Sequence, residues 1–505
     1  FDEMKSIFVI FFLLFFDFSS GYYDSEESSE EYRLKRNFLI GSRKKYPYDY
    51  YKLDDEVQDG IEKFYSYNWS YLEIETMPNF DTDLQAYAAG VLEGVLSRKV
   101  LGFNIQNTYA DYCTGFSQYC NRLYKYLKEN LAYVKRKIEK APKDDPYWQS
   151  VRRTFLQMTG LWNGFKNDTS FDKIEILYEI HPVYLINLNG DLYDLEKKFN
   201  KTKDPLFSEE GSKCSGFVKL TPGNSDLLIS QVTMSGFQNL LRVLKLYKFG
   251  YDPRMFPGHT ATFASYPGML YSSDDFALMS SGLAGIETTI AVWNPILYDK
   301  VIARGQIFRR HNSGTYNNQW IILDYKKFQP FKKLTDHGLL YVLEQMPGLV
   351  VYKDVTEYLE KNRYYASYNI PFFKKTSTVS GFDKKGNEFY WFSWTNCPRA
   401  KIFKRDHEKV VDLDTLKQLM RYNDYTHEPF SKCNCTPPYT AEAAISARGD
   451  LNWANGTYPL PGMGHVNHGA LDYKAAIVKH FGHPDLWNFD SIQTAWETPS
   501  IGPEL

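Results

Sequence analysis

Lys213-Cys214-Ser215-Gly216-Phe217-Val218-Lys219-Leu220 lies near the middle of the 505-residue chain, and its reading decides the fold. The stretch before it, Lys197 to Lys213, carries an Asn-x-Thr sequon, lysines, Asp204, Pro205 and Gly211. It reads as an exposed loop, the kind of segment that is readily cut. After Cys214 the pattern changes. Phe217 to Leu220 predicts a strand, Pro222-Gly223-Asn224 a turn, and Leu227 to Val232 the returning strand. Phe237, Leu240, Leu241 and Leu244 then have helical spacing. A cut before Cys214 leaves an N-terminal residue that carries both a thiol and an amine, held at a strand end.

That pair is chemically complete. A thiol reacts as thiolate, and a free cysteine titrates at about 8.5. A terminal α-amine titrates at about 7.7–8.0, so part of it is neutral near neutrality and takes the thiol proton. Nucleophile and base then sit on one residue. Before the cut, the same thiol is placed to attack the carbonyl of Lys213, giving a thioester that water opens. The competing use of Cys214 is structural, as a half-cystine or a buried apolar residue, because most cysteines of secreted proteins are paired.

The chain reads as secreted or lumenal. Met4 and Lys5 precede an apolar run from Ile7 to Phe16 and small residues at Ser19, Ser20 and Gly21. This is signal-peptide patterning over 4–20, with translation expected to start at Met4, and the run is too short to span a bilayer. No transmembrane anchor is expected. Asn68, Asn167, Asn200, Asn434 and Asn455 head Asn-x-Ser/Thr sequons, which behind a signal peptide indicate glycosylation. The six cysteines then travel an oxidising route. Cys113 and Cys120 are near enough to close a small loop. Cys433 and Cys435 flank one residue and make a tight bridge, and Cys397 is an alternative partner for either, so connectivity stays open.

Net charge is -2, from 59 basic and 61 acidic residues, so no basic excess points to nucleic acid. Hydrophobic residues make up 43% and aromatic residues 17%, enough for a large packed core. Residues 21–57 read as a flexible lead-in, rich in Glu, Ser, Lys, Arg and Tyr. Thr82 to Ser97 and Leu123 to Ile138 read as amphipathic helices, the second ending at Ala141-Pro142. Trp320 to Leu323 and Phe389 to Trp394 are strand-like. His465, His468, His480 and His483 crowd the C-terminal region without zinc-ligand spacing and read as surface or packing residues. No metal and no cofactor are expected.

Several strings occur in the order found in one family. They include Asp83-Leu84-Gln85-Ala86-Tyr87-Ala88-Ala89-Gly90-Val91-Leu92-Glu93-Gly94, Asp145-Pro146-Tyr147-Trp148 and Asn189-Gly190-Asp191-Leu192-Tyr193-Asp194-Leu195-Glu196. Ser280-Ser281-Gly282-Leu283, Glu287-Thr288-Thr289, and Asn312-Ser313-Gly314-Thr315-Tyr316-Asn317-Asn318-Gln319-Trp320 follow. Ala447-Arg448-Gly449-Asp450-Leu451 and His480-Phe481-Gly482-His483-Pro484-Asp485 complete the series. From about residue 58 to 495 the chain resembles the phospholipase B-like (lamina ancestor-like) family, the Asn312–Trp320 string most specifically.

The resemblance implies an α+β fold, the four-layer αββα sandwich of N-terminal nucleophile hydrolases. It implies self-cleavage between Lys213 and Cys214, with 58–213 as the N-terminal chain and 214–505 as the C-terminal chain. It also implies a lysosomal or secreted protein that deacylates phospholipids. The fold class more often cleaves amides, so the expected partner is a lipid or acyl-amide substrate, with a homodimer as an open assembly.

The chain departs from the family at 231–234. There His followed by Asn-Thr-Trp is usual, and Gln231, Val232, Thr233 and Met234 stand instead. Asn294 to Arg310 is shorter than in the family, and Gly469-Ala470-Leu471-Asp472 replaces Gly-Gly-Ile-Asp. Gln231 forms hydrogen bonds but does not titrate, which puts turnover in doubt. With Cys214, Asn312 is the candidate oxyanion donor or a turn residue. Arg448 is the candidate holder of a carboxylate or phosphate, or a structural partner of Asp450. Gln231, Thr233, Met234 and Asn452 are candidate substrate contacts. The rival reading is a glycosylated lumenal pseudoenzyme that binds lipid or protein without turnover.

Overall fold

In the computed structural model, the described residues are 70–476 except 169, 172, 202–212, 255, 257, 291–312 and 335–336, with a short strand pair at 487–488 and 491–492. Signal peptide, lead-in, Asn68, Asn312, His480, His483 and the shortened 294–310 segment lie outside them. The fold is a mixed α+β structure. Its N-terminal part runs β1 (Ser70–Glu75), α1 (Thr82–Leu96), α2 (Arg98–Thr108), α3 (Ser117–Lys140), α4 (Pro146–Phe165), α5 (Pro182–Ile186) and α6 (Asn189–Lys198). Then come β2 (Lys213–Leu220), β3 (Leu227–Gly236), β4 (Val243–Lys248), β5 (Thr260–Ser265), β6 (Phe276–Met279), β7 (Leu283–Thr289), β8 (Asn318–Asp324), β9 (Leu340–Met346) and β10 (Leu349–Asp354). The chain continues through α7 (Thr356–Asn362), β11 (Tyr364–Ser367), α8 (Lys374–Ser380), α9 (Phe382–Glu388), α10 (Pro398–Asp406), α11 (Leu413–Met420) and β12 (His468–Ala476).

Eight strands form one sheet in the order β1-β4-β5-β6-β7-β8-β9-β10, and four form another in the order β11-β2-β3-β12. Only the β1–β4 pairing among these is parallel. Strand alternation sends successive side chains of β2 to opposite sides. Val218 and Leu220, with Leu227 and Ile229 of β3, pack on Ile286, Ile321, Leu323 and Val342 of the large sheet. Phe217, Val232 and Met234 point the other way, onto Ile402, Phe403, Leu416 and Met420 of α10 and α11. Phe217 stacks on Phe403 with ring centroids 5.0 Å apart. Because β2 is covered on both faces, it reads as an almost unbroken buried run. The far face of the large sheet packs Leu72, Ile74, Val243 and Tyr247 against Ala89 and Leu96 of α1.

The family strings are structural joints. Asp145 caps α4 by accepting from the backbone nitrogens of Tyr147 and Trp148, with Pro146 at the first turn. The α1 string brings two backbones together. A Cβ on Gly90 would stand 1.9 Å from the Gln157 carbonyl oxygen of α4, and one on Gly160 would stand 2.1 Å from that of Tyr87. The sequence expectation for 237–244 needs correction. Phe237–Asn239 is one 3-10 turn, and the next segment is strand β4. Its buried Lys245 masks a two-residue alternation, in which Val243, Lys245 and Tyr247 face α1 while Leu244 joins the core between the sheets. Phe389 to Trp394 likewise forms a 3-10 turn after α9, not a strand.

Candidate active site

Cys214 is the second residue of β2, on the face turned toward the large sheet, and it is fully buried. It is unpaired, as is the buried Cys397. The four other cysteines form Cys113–Cys120 and Cys433–Cys435, with Cα atoms 5.9 and 5.3 Å apart. The Cys214 thiol is therefore in neither disulfide.

Its immediate acceptor is the carboxylate of Asp275. Cys214 Sγ donates to Asp275 Oδ2 at 2.9 Å. The same oxygen accepts from Gln231 Nε2 at 3.0 Å, and Thr233 Oγ1 lies 3.4 Å away. Thr233 stands opposite Cys214 in the β2–β3 ladder, and Gln231 lies two residues earlier on the same face. Asp275 precedes β6 with φ 58°, a left-handed conformation that Asp tolerates better than most residues. Glu287, on β7, stands beside it. Tyr316 Oη donates to Glu287 Oε1 at 2.8 Å and Asn318 Nδ2 to Oε2 at 2.9 Å. The highly specific 313–320 string thus folds back to hold a buried acid.

Burial pushes Asp275 up to about 6, and burial followed by the Asp275 charge pushes Glu287 well above the ordinary carboxylate range. Two adjacent carboxyls in a dry site do not both ionise readily, so this pair retains a proton. Burial, then the Asp275 carboxylate, also push the Cys214 thiol well upward in the uncut chain.

A second set of groups holds the Cys214 backbone. Its N–H donates to Asn369 Oδ1 at 2.8 Å. Asn369 follows β11 with φ 66° and anchors its own amide on the Thr289 carbonyl at 2.8 Å. Arg399, in the first turn of α10, donates to the Cys214 carbonyl, to Asn369 Oδ1 at 3.0 Å and to the Tyr368 carbonyl at 2.7 Å. Lys213 points elsewhere, its Nζ 2.9 Å from Glu442 Oε2 and 2.7 Å from the Gly462 carbonyl. The two residues flanking the bond expected to be cut are thus clamped from different sides. A narrow polar cleft opens beside Thr233, lined also by Asn189, Tyr193, Ser235, Asn239 and Tyr316.

Of the candidates read from sequence, the structure brings Cys214, Gln231 and Thr233 together. Met234 alternates onto the opposite face of β3, in the core against α10 and α11. Arg448 forms a two-pronged pair with Asp450, Nε to Oδ1 at 2.7 Å and Nη2 to Oδ2 at 2.6 Å, the structural use weighed for it. Asn452 is buried and serves backbone: it accepts from Ala441 N at 2.8 Å and donates to the Gly464 carbonyl at 2.8 Å. His465 Nδ1 packs 2.7 Å from the Asn452 carbonyl. Asn167, Asn200, Asn434 and Asn455 are all exposed. Asp275, Glu287, Asn369 and Arg399 went unread as site residues. The one sequence signal for the first is the acidic pair Asp274-Asp275 set directly before an apolar strand.

The sequence model of the phospholipase B family matches residues 61–306 and 304–479. The chain belongs to that family. It is 50% identical to phospholipase B-like 2 of Caenorhabditis elegans, covering 85% of this chain and 83% of that protein. It is 38% identical to phospholipase B-like 2 of Rattus norvegicus, covering 85% and 84%, and 38% identical to that of Homo sapiens with the same coverage. The family match spans both sides of the Lys213–Cys214 bond and every residue placed around the thiol. Among the described residues no helix is long and apolar enough to cross a membrane.

Proposed function

We propose that this member of the phospholipase B family is an acyl hydrolase of the N-terminal nucleophile type, with the αββα layering of that class, acting in the lysosomal lumen or outside the cell as a glycoprotein. In the uncut chain the thiol proton passes to Asp275, and Sγ attacks the Lys213 carbonyl. The C–N bond breaks, the Cys214 nitrogen takes a proton, and water opens the resulting thioester. The new α-amine then lies at Asn369 Oδ1 and serves as base. In turnover, Sγ bonds the acyl carbon of an ester or amide, the C–O or C–N bond breaks, and the leaving group takes the thiol proton through the amine. Water supplies hydroxyl to the acyl carbon and returns a proton to sulfur. The observation that carries this reading is the placement of Cys214: an unpaired thiol on a carboxylate at 2.9 Å, with its own backbone nitrogen on a side-chain oxygen at 2.8 Å.

Gln231 has a defined part in this arrangement. Its amide orients Asp275, a task that needs a donor and not a titrating group. The pseudoenzyme alternative therefore draws no support from that position.

The test is to secrete the protein, sequence its fragments and assay it on labelled phospholipid and N-acyl amide. A fragment beginning at Cys214, and hydrolysis abolished in Cys214→Ala, are expected. A chain that stays whole at acidic pH, or hydrolysis that survives Cys214→Ala, sinks the proposal.

A further inference from the structure

The thiol faces an excess of acid. Asp275 is its hydrogen-bond partner, Glu287 stands behind Asp275, and Asp274 is the preceding residue. A thiolate formed there meets negative charge, so a compensating cation has to lie close by. Arg399 reaches the Cys214 carbonyl on one side. On the side facing the carboxylates, the cation comes from β12.

Lys474 pairs with Gln231 across the β3–β12 ladder and is almost wholly buried. Its Nζ donates to Thr233 Oγ1 at 3.1 Å, and Thr233 is the residue opposite Cys214. The ammonium lies 3.4 Å from Asp274 Oδ1. Asp274 is not free to neutralise it alone: its other oxygen takes Arg242 Nε at 2.9 Å, and Tyr266 Oη donates to Oδ1 at 3.2 Å. The charged groups facing Lys474 are thus Asp274, Asp275, Arg242 and the thiol itself. A lysine placed only for packing would not be turned inward onto the hydroxyl beside the nucleophile.

We infer that Lys474 is a positioning residue for Cys214, whose buried charge, anchored on the hydroxyl of Thr233 opposite the cysteine, stabilises the thiolate against the neighbouring carboxylates. This rests on the reading of Cys214 as the nucleophile. Burial also draws Lys474 down to about 8, so the cation is present through the acidic and neutral range and is lost above it. The same charge opposes the upward push on the thiol.

The experiment titrates the thiol directly, by the ultraviolet absorbance of its thiolate, as the difference between each variant and the same variant carrying Cys214→Ala. Lys474→Met is expected to move the apparent thiol pKa up by about one pH unit, a tenfold fall in thiolate at a fixed pH below it. Lys474→Arg keeps the wild-type curve, and Thr233→Val, which keeps the charge and removes its anchor, lies between. A Lys474→Met protein with unchanged melting behaviour and an unmoved curve overturns the inference. So does a Lys474→Arg curve that matches Lys474→Met. If Lys474→Met does not fold, the Arg and Thr233→Val curves decide. Because the titration reads the thiol and not turnover, hydrolysis surviving Cys214→Ala would remove the nucleophile reading while leaving this result standing.

Discussion

Among the described residues, the buried polar cluster beneath α1 and the one around Cys214 differ in charge balance. Beneath α1, Lys245 Nζ bonds Glu93 Oε1 at 2.6 Å, the second Glu93 oxygen accepts from Tyr247, and all three groups are buried. One cation meets one anion, and hydroxyl and backbone partners take up the remainder. Around Cys214, by contrast, Asp274, Asp275 and Glu287 converge with a thiol. The first cluster is closed and fixes α1 to its sheet. In the second, three carboxyls meet the two cations Lys474 and Arg242, and burial raises Asp275 and Glu287. Burial alone therefore does not mark a site; unbalanced burial does.

Breaking the balanced cluster should cost the most stability. Lys245→Met leaves Glu93 buried and uncompensated, and a loss of about 3–5 kcal/mol in denaturant unfolding is expected. Lys245→Met with Glu93→Leu should recover most of it, because both charges leave together. If the single and double variants unfold alike, the cluster is not a matched pair in the sense used here.

The unbalanced cluster should instead lose rate. Gln231→Leu removes the donor that orients Asp275, and cutting before Cys214 is expected to slow about 10- to 100-fold, equivalent to about 1.4–2.7 kcal/mol of barrier. A time course of chain cutting on a denaturing gel reads this directly. Cutting at the wild-type rate would remove Gln231 from the site.

The smallest expected effect sits at the edge of the second cluster. Asp191, on α6, accepts from Thr315, and burial pushes it up to about 6. A carboxyl raised on folding contributes its full stability below its unfolded pKa and loses it as pH climbs through its folded one. Wild type should therefore weaken relative to Asp191→Asn between about pH 4 and 6.5. The difference is about 1–2 kcal/mol, discounted because the residue is not fully shielded from solvent. Parallel stability curves across that range would show that Asp191 does not titrate there.

The sequence alone carried much of this. Turn residues at 222–224 and the apolar runs on either side announce the β2–β3 hairpin, since those signals are local. The amphipathic helices at 82–96 and 117–140 follow from spacing for the same reason. For the cysteines the sequence left the connectivity open, with Cys397 an alternative partner, and the fold selects Cys113–Cys120 and Cys433–Cys435 and leaves Cys214 and Cys397 free. Local reading failed at 237–248, where a buried lysine disguised a strand, and at Met234, where alternation turned a neighbour of the site into core.

What no local pattern holds is the company Cys214 keeps. Asp275, Asn369 and Arg399 lie 61, 155 and 185 residues away along the chain, and Lys474 reaches Thr233 across 241. Each is an ordinary polar residue by type, of the kind that normally faces water. Strand register and the stacking of one sheet on the other turn them inward, take them out of solvent and give them their chemistry. The sequence singled out Cys214, because a thiol and a strand start are neighbours along the chain, behind a stretch whose composition reads as a loop. Only the tertiary structure decided its acceptor, its clamp and its counter-charge, because burial and distance are properties of packing.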